Sequence, residues 1–296
     1  MLDVDAAAIK LEGHYHAGKG SSENKGLMRK LRESIDPGAA EMVYAEKDRI
    51  FVRSLKEIAA ELVEAGIPPR LAACQAYEIK RGADHLTNID AVMSYAEDEL
   101  REDATYALPR ASFMDDYIPF VEDVTDEKIQ RLFGKILAGE MEAEGSFSRL
   151  ALSKLSQFSK LEVELIEKLC SVSTGGHSGS GWVLPLPILI GGDKGTDKQS
   201  GAITNYELRD LESLGIIKNE MSSTISAADG VFQFCVHGEE YRIVGHDFEN
   251  IRFKTALLTT VGEQLSKLFE FGTSEGFLDI IKEEWGRQGA SIERVV

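Results

Sequence analysis

At about 100° per residue, Ile129, Leu132, Phe133, Ile136 and Leu137 gather into one stripe of a helix, while Lys128, Arg131 and Lys135 fall opposite. A segment patterned this way has to bury one face, so the chain is built around packed amphipathic helices. Glu140 lands near the middle of the same stripe. A carboxylate desolvated without a partner is destabilising by several kcal/mol, so Glu140 must be paired, protonated or wet. Its place late in the helix adds a dipole penalty of roughly 0.3 to 1 kcal/mol. The turn just downstream offers backbone N–H donors at Ser146 to Ser148, and Arg149 is a cationic candidate. Accepting those bonds pins the Gly145-Ser146-Phe147-Ser148 turn against the helix and directs Phe147 into the core. A catalytic alternative pairs Glu140 with Glu144, four residues on. No His stands at the i+3 spacing that di-metal helix bundles use, so the constructional role is preferred.

The same period organises most of the first half. Phe51, Leu55, Ile58 and Leu62 recur at helical spacing until Gly66-Ile67-Pro68-Pro69 stops them. A second helix is predicted over about 70–81, and a third from near Thr87, burying Ile89, Val92, Met93, Ala96 and Leu100 before an acidic run that reads as a solvated face. Pro109 and Pro119 bracket a connector. Thr125 is the expected N-cap of the helix that follows, with Asp126 and Glu127 in its first turn. Further helices are expected from about Ser148 to Gln157 and, behind a Ser159 to Glu162 capping box, through Leu161, Leu165, Ile166 and Leu169.

Beyond Cys170 the composition shifts to glycine-rich loops around an apolar, strand-like WVLPLPILI. Thr204 to Glu207 is a second capping box, and its helix ends at Leu214-Gly215 before a short Ile216-Ile217 strand. VFQFCV and EYRIV flank His237-Gly238-Glu239 as a β-hairpin. Thr260 to Glu263 opens another helix, and an amphipathic piece around Phe277, Leu278, Ile281 and Trp285 follows. The expected class is mostly α (α+β), with a flexible or partly ordered segment at 1–40, a helical domain at 41–158, and a winged-helix-like α/β-hairpin domain with C-terminal helices at 159–296.

Charge narrows the function classes. Lys plus Arg total 33 against 50 for Asp plus Glu, a net charge of −17, so a nucleic acid is repelled at long range unless a local basic patch intervenes. Three dispersed cysteines without a CxxC argue against a disulfide framework and fit a reducing cytoplasm. The opening residues lack a secretion signal, and the most apolar window is far shorter than the roughly 20 residues of a membrane span.

The stretch from Asp115 to Leu155 resembles a bacterial family, domain of unknown function 2806 (DUF2806). The residues that carry the resemblance are Tyr117 and Phe120, then Leu137-Ala138-Gly139-Glu140, then Gly145-Ser146-Phe147-Ser148. It extends more weakly from about 40 to 270, including Leu211 to Ile217 and Leu257 to Leu268. The family pattern has Trp where Tyr117 stands and Pro where Glu144 stands. The resemblance implies a bacterial, cytoplasmic, structured protein, and no activity.

Other motifs fall short of a site. Gly13 to Lys19 has the glycines of a phosphate loop but Gly20 where Ser or Thr should bind magnesium. Cys235, His237 and His246 have the ligand types of a zinc site, and strand alternation sets Cys235 and His237 on one face, but at no zinc spacing. Ser180 occupies the last glycine position of a nucleophile elbow, and Glu78-Ile79-Lys80 is half of a nuclease motif in a helical stretch. In the would-be recognition helix, Glu207, Asp210 and Glu212 face Arg209 alone, the wrong balance for phosphate. A Lys25, Arg29, Lys30, Arg32 cluster reads as a solvated basic helix end. The expectation is a non-enzymatic module without a cofactor, acting through a protein partner or self-association, for instance as an accessory of a stress or phage-defence system. A winged-helix nucleic-acid-binding regulator and a metal-dependent hydrolase are the two rival readings.

Overall fold

A computed structural model describes residues 22–35, 54–176, 203–218, 223–224, 231–244, 252–253, 257–287, 289 and 291–295. The chain divides into two compact units, Met1–Ser156 and Gln157–Val296. The fold is mostly α with a small antiparallel sheet.

Unit one is a helical array. Its elements are α1 (Ser22–Ile35), α2 (Leu55–Glu64), α3 (Pro69–Glu99), α4 (Ala111–Val121), α5 (Glu127–Glu142) and α6 (Arg149–Gln157). Helix α1 lies within the segment expected to be flexible or partly ordered. It is held because Met28 and Leu31 are buried, Asn24 bonds the Arg101 carbonyl, and Arg32 pairs with Glu97 at 3.0 Å. Ser54 caps α2 through a full capping box with Glu57.

The two helices expected at 70–81 and from Thr87 are one 31-residue helix, α3. A glycine inside a helix is unfavourable by only about 1 kcal/mol relative to alanine. Packing of Ala76 and Ala83 on either side of Gly82 outweighs that, and no proline intervenes. The expected connector between Pro109 and Pro119 is likewise a helix, α4, with Pro119 inside it. Tyr117, fully buried, anchors it by donating its phenol proton to the Phe133 carbonyl on α5 at 2.8 Å, and its ring meets Phe133 edge-on. Burial pushes that phenol well above its ordinary pKa.

Helix α5 is the core of unit one. Its N-cap is Asp126, one residue beyond the expected Thr125; the Asp126 carboxylate accepts from the N–H groups of Lys128 and Ile129. Ile129, Leu132, Phe133, Ile136 and Leu137 are all buried. Where α5 crosses α3, Gly134 permits contact that no side chain could: a Cβ there would stand 2.7 Å from Cβ of Tyr95 and 2.9 Å from the Ala96 nitrogen.

Unit two opens with α7 (Lys160–Ser171), started by the Ser159 to Glu162 capping box. Strand β1 (Gly175–Gly176), α8 (Asn205–Ser213), β2 (Ile217–Lys218), β3 (Ser223–Thr224), β4 (Val231–Val236), β5 (Glu239–Val244), β6 (Arg252–Phe253), β7 (Leu257–Leu258), α9 (Thr260–Ser266), α10 (Phe277–Gly286) and β8 (Ser291–Arg294) follow. Strands β1-β4-β5-β8 form one antiparallel sheet, β2 pairs with β7, and β3 with β6. The β4–β5 hairpin alternates: Phe234, Val236, Tyr241 and Ile243 point into the core, and Gln233, Glu240 and Arg242 point out. Its two-residue turn, His237-Gly238, has positive φ at both positions, as a twisted hairpin needs. Strand β8, which pairs with β5, carries too weak an alternation to be read from sequence. Helix α9 is capped by Thr259, one residue before the expected start, because the Thr259 hydroxyl accepts from the Gly262 N–H and donates to the Gly215 carbonyl. The expected WVLPLPILI strand, the phosphate-loop look-alike at 13–19, and Phe51, Ser180 and His246 lie outside the described residues.

Candidate functional site

Glu140 sits on the last turn of α5, only 4% exposed. Its Oε1 accepts from the Gly145 N–H at 2.7 Å and its Oε2 from the Ser146 N–H at 3.0 Å. Gly145 reaches this geometry at φ +79°, which a side chain rarely adopts. Ser146 donates its hydroxyl back to the Ala143 carbonyl at 2.5 Å, and Ser148 caps α6 by accepting from the Ala151 N–H. Phe147 is buried, its ring edge 3.1 Å from where a Cβ on Gly139 would stand. Of the donors expected for Glu140, the Ser146 N–H is used, and Gly145 supplies a second. Arg149 instead pairs at 3.2 Å with the half-buried Asp116, since Glu140 already has an N–H on each oxygen and lies too deep for a solvated guanidinium. Glu144 is ion-paired with Arg110 at the surface, apart from Glu140. In this arrangement both carboxylate oxygens bind the turn.

A second polar group clamps the α4–α5 connection. His85 on α3 meets Asp123 at 3.1 Å and Glu122 at 3.6 Å. Asn88 donates to the Glu122 carbonyl, and Gln130 to the Val124 carbonyl. Beside it lies a depression of about 340 Å³ lined by Pro119, Phe120, Asp123, Thr125, Asp126 and Ser156. The amides spend their donors on backbone carbonyls, so the group secures a loop that lacks its own ladder.

Of the Cys235, His237, His246 set, His246 lies outside the described residues. His237 occupies a turn at φ 53°, where strand alternation no longer fixes its direction relative to Cys235. Burial raises the Cys235 thiol pKa, and burial pushes that of Cys170 up to about 12, so neither offers a ready thiolate. Among the described residues no cluster of three or more His, Cys, Asp or Glu could hold a metal ion, and no helix is long and apolar enough to cross a membrane. Glu78 and Lys80 fall on roughly opposite sides of α3, and Lys80 pairs with Asp84. On α8, Arg209, Asp210 and Glu212 are exposed, while Glu207 pairs with Lys168 of α7 at 2.6 Å.

The feature that the sequence reading missed is an apolar surface. Helix α2 packs chiefly on the first half of α3, through Ile58, Ala72 and Ala76. The rest of this hairpin shows large apolar side chains to solvent: Tyr77 is 55% exposed and Leu71 50%, with Leu55, Val63 and Ile79 close behind. A signal was present. Leu71, Ala72, Ala73, Cys74, Ala76, Tyr77 and Ile79 are apolar all round the helix, a pattern of a helix covered on more than one side.

A family model described as "Protein of unknown function (DUF2806)" matches residues 74–282, a span that opens inside α3 and closes inside α10. No curated protein and no solved structure matches the chain.

Proposed function

Since the chain belongs to the DUF2806 family, described only as of unknown function, we propose from its geometry that it is a non-enzymatic interaction module, bacterial and cytoplasmic, whose contact surface is the α2–α3 hairpin. The observation that carries this reading is the exposure of Leu55, Val63, Leu71, Tyr77 and Ile79 on α2 and the first part of α3, while α3 farther along meets α5 at Tyr95 and Ala96. A concentration of large apolar side chains exposed on one helical hairpin favours it as the place where a partner docks. Glu140, the one buried carboxylate among the described residues, is engaged in holding a turn, which supports a scaffold over a hydrolase.

The test is in-cell photo-cross-linking of the full chain. With Tyr77 replaced by a photo-reactive phenylalanine analogue, a defined adduct to one polypeptide is expected; the same analogue at Lys160, exposed on α7, should give none. No adduct from position 77, or equal adducts from both positions, overturns the reading.

For unit two we retain a winged-helix-like description as a protein-contact fold. It is supported by α8 running through Leu214-Gly215 into β2 and by the β4–β5 hairpin beyond. Strand β2 pairs with β7 and not with that hairpin, a departure from the simple order expected of such a module.

A further inference from the structure

We infer that His85 is a pH-operated selector: as its ring loses a proton, Nε2 exchanges the Asp123 carboxylate for the Arg81 guanidinium, and so decides whether Asp123 is tied to α3 or released to the rim of the depression beside α5. The inference is independent of the α2–α3 contact surface and uses the middle of α3.

Three groups compete for two ring nitrogens. Nε2 lies 3.1 Å from Oδ1 of Asp123, and it also accepts from Nε of Arg81, one helical turn earlier, at 3.3 Å. Nδ1 faces Oε2 of Glu122 at 3.6 Å. An imidazole nitrogen either carries a proton and donates or keeps its lone pair and accepts. Nε2 therefore serves Asp123 or Arg81, never both at once. The protonated ring has two N–H groups, one for each carboxylate, and offers Arg81 no lone pair. The neutral ring has one N–H. With Arg81 donating to Nε2, that proton sits on Nδ1, toward Glu122, and the Nε2 lone pair is set against the Asp123 carboxylate.

Exposure decides which group moves. The His85 side chain is 18% exposed and that of Glu122 30%, whereas that of Asp123 is 70% exposed. Asn88 bonds the Glu122 carbonyl and Gln130 the Val124 carbonyl whatever the charge on the ring, so the backbone of the connection stays in place and the Asp123 side chain swings. Asp123 already lines the depression with Phe120, Thr125 and Asp126. The neighbouring charges are engaged elsewhere: Lys80 pairs with Asp84 at 2.6 Å, and the Asp126 carboxylate caps α5. Helix α5 presents the neutral Gln130, whose amide reaches Asn88 and Val124. Toward alkaline pH the rim thus gains a free carboxylate, and toward acid pH it gives that carboxylate up to the ring.

The experiment is an NMR titration of the full chain from about pH 5 to 8, the range in which histidine side chains ordinarily change charge. The chain carries 15N in histidine and arginine and 13C in aspartate, with the side chains assigned by through-bond correlation to their own backbones. At the acid end both ring nitrogens of His85 should be protonated. As pH rises, Nε2 should lose its proton while Nδ1 keeps one, and the Arg81 Nε and Asp123 carboxyl signals should shift with the same midpoint as the ring. Arg81 is exposed, so Arg81→Ala is expected to fold. In that variant the neutral ring should hold its proton on Nε2 instead, toward the nearer carboxylate. A purely structural histidine would not change tautomer when an exposed arginine is removed. A wild-type ring that keeps its proton on Nε2 when neutral, an Arg81 signal indifferent to the ring, or the same tautomer with and without Arg81 overturns the inference.

Discussion

Glu140 shows what one residue can decide. Its carboxylate meets two N–H groups of a turn that has no strand or helix partner of its own, and so replaces the ladder that those donors lack. Glu140→Ala leaves both donors without that acceptor in a buried place. Hydrogen bonds to a charged acceptor contribute about 1.5 to 3 kcal/mol, and roughly 3 kcal/mol is expected to be lost in all. At 2 to 4 °C per kcal/mol, that is a fall of about 6 to 12 °C in Tm. Glu140→Gln should lie between, since its amide keeps one oxygen but turns N–H toward N–H. Thermal unfolding followed by circular dichroism reads both, and an Ala variant melting with the wild type would sink the strut role. The carboxylate's place on the stripe was legible from spacing alone. The Ser146 donor was legible too, but the Gly145 donor and the loss of Arg149 were not, because they depend on Gly145 turning at positive φ and on Arg149 finding Asp116 first.

Among the elements, α7 and α8 are joined by the half-buried Lys168–Glu207 pair. Burial raises the Glu207 pKa, but the Lys168 hydrogen bond and the bonds from the Thr204 N–H and hydroxyl outweigh it and hold the carboxyl below its ordinary value. A carboxylate depressed by folding adds stability that is fully present above its unfolded pKa of about 4.3, and this is lost as pH falls through the lower folded value. The Tm difference between the wild type and Glu207→Gln is therefore expected to be constant near neutrality and to shrink below about pH 4. A gap that widens on acidification would contradict the assignment. Capping boxes at Ser159 and Thr204 were readable because their bonds are local. The continuity of α3 through Gly82 and the helicity of α4 around Pro119 were not, since each depends on burial of residues by other elements.

For the molecule as a whole, net charge sets long-range behaviour. At −17, with α8 exposing Asp210 and Glu212 beside Arg209, we expect repulsion of a polyphosphate at that helix. The full chain should leave duplex DNA unshifted in an electrophoretic assay even at low salt. A shift that weakens steeply with added salt would revive the nucleic-acid reading. The chain divides into its two units between Ser156 and Gln157, before the change in composition that follows Cys170.

By itself the sequence determined the helical period, the capped starts of its helices, the β4–β5 hairpin with its His237-Gly238 turn, and the presence of a carboxylate on an apolar face. These follow from interactions between residues a few positions apart. Tertiary structure alone decided which apolar faces are covered and which stay open, how closely α3 and α5 approach at Gly134, and where β8 finds its partner. Burial is a relation between segments distant in the chain, and no local pattern states which segments meet.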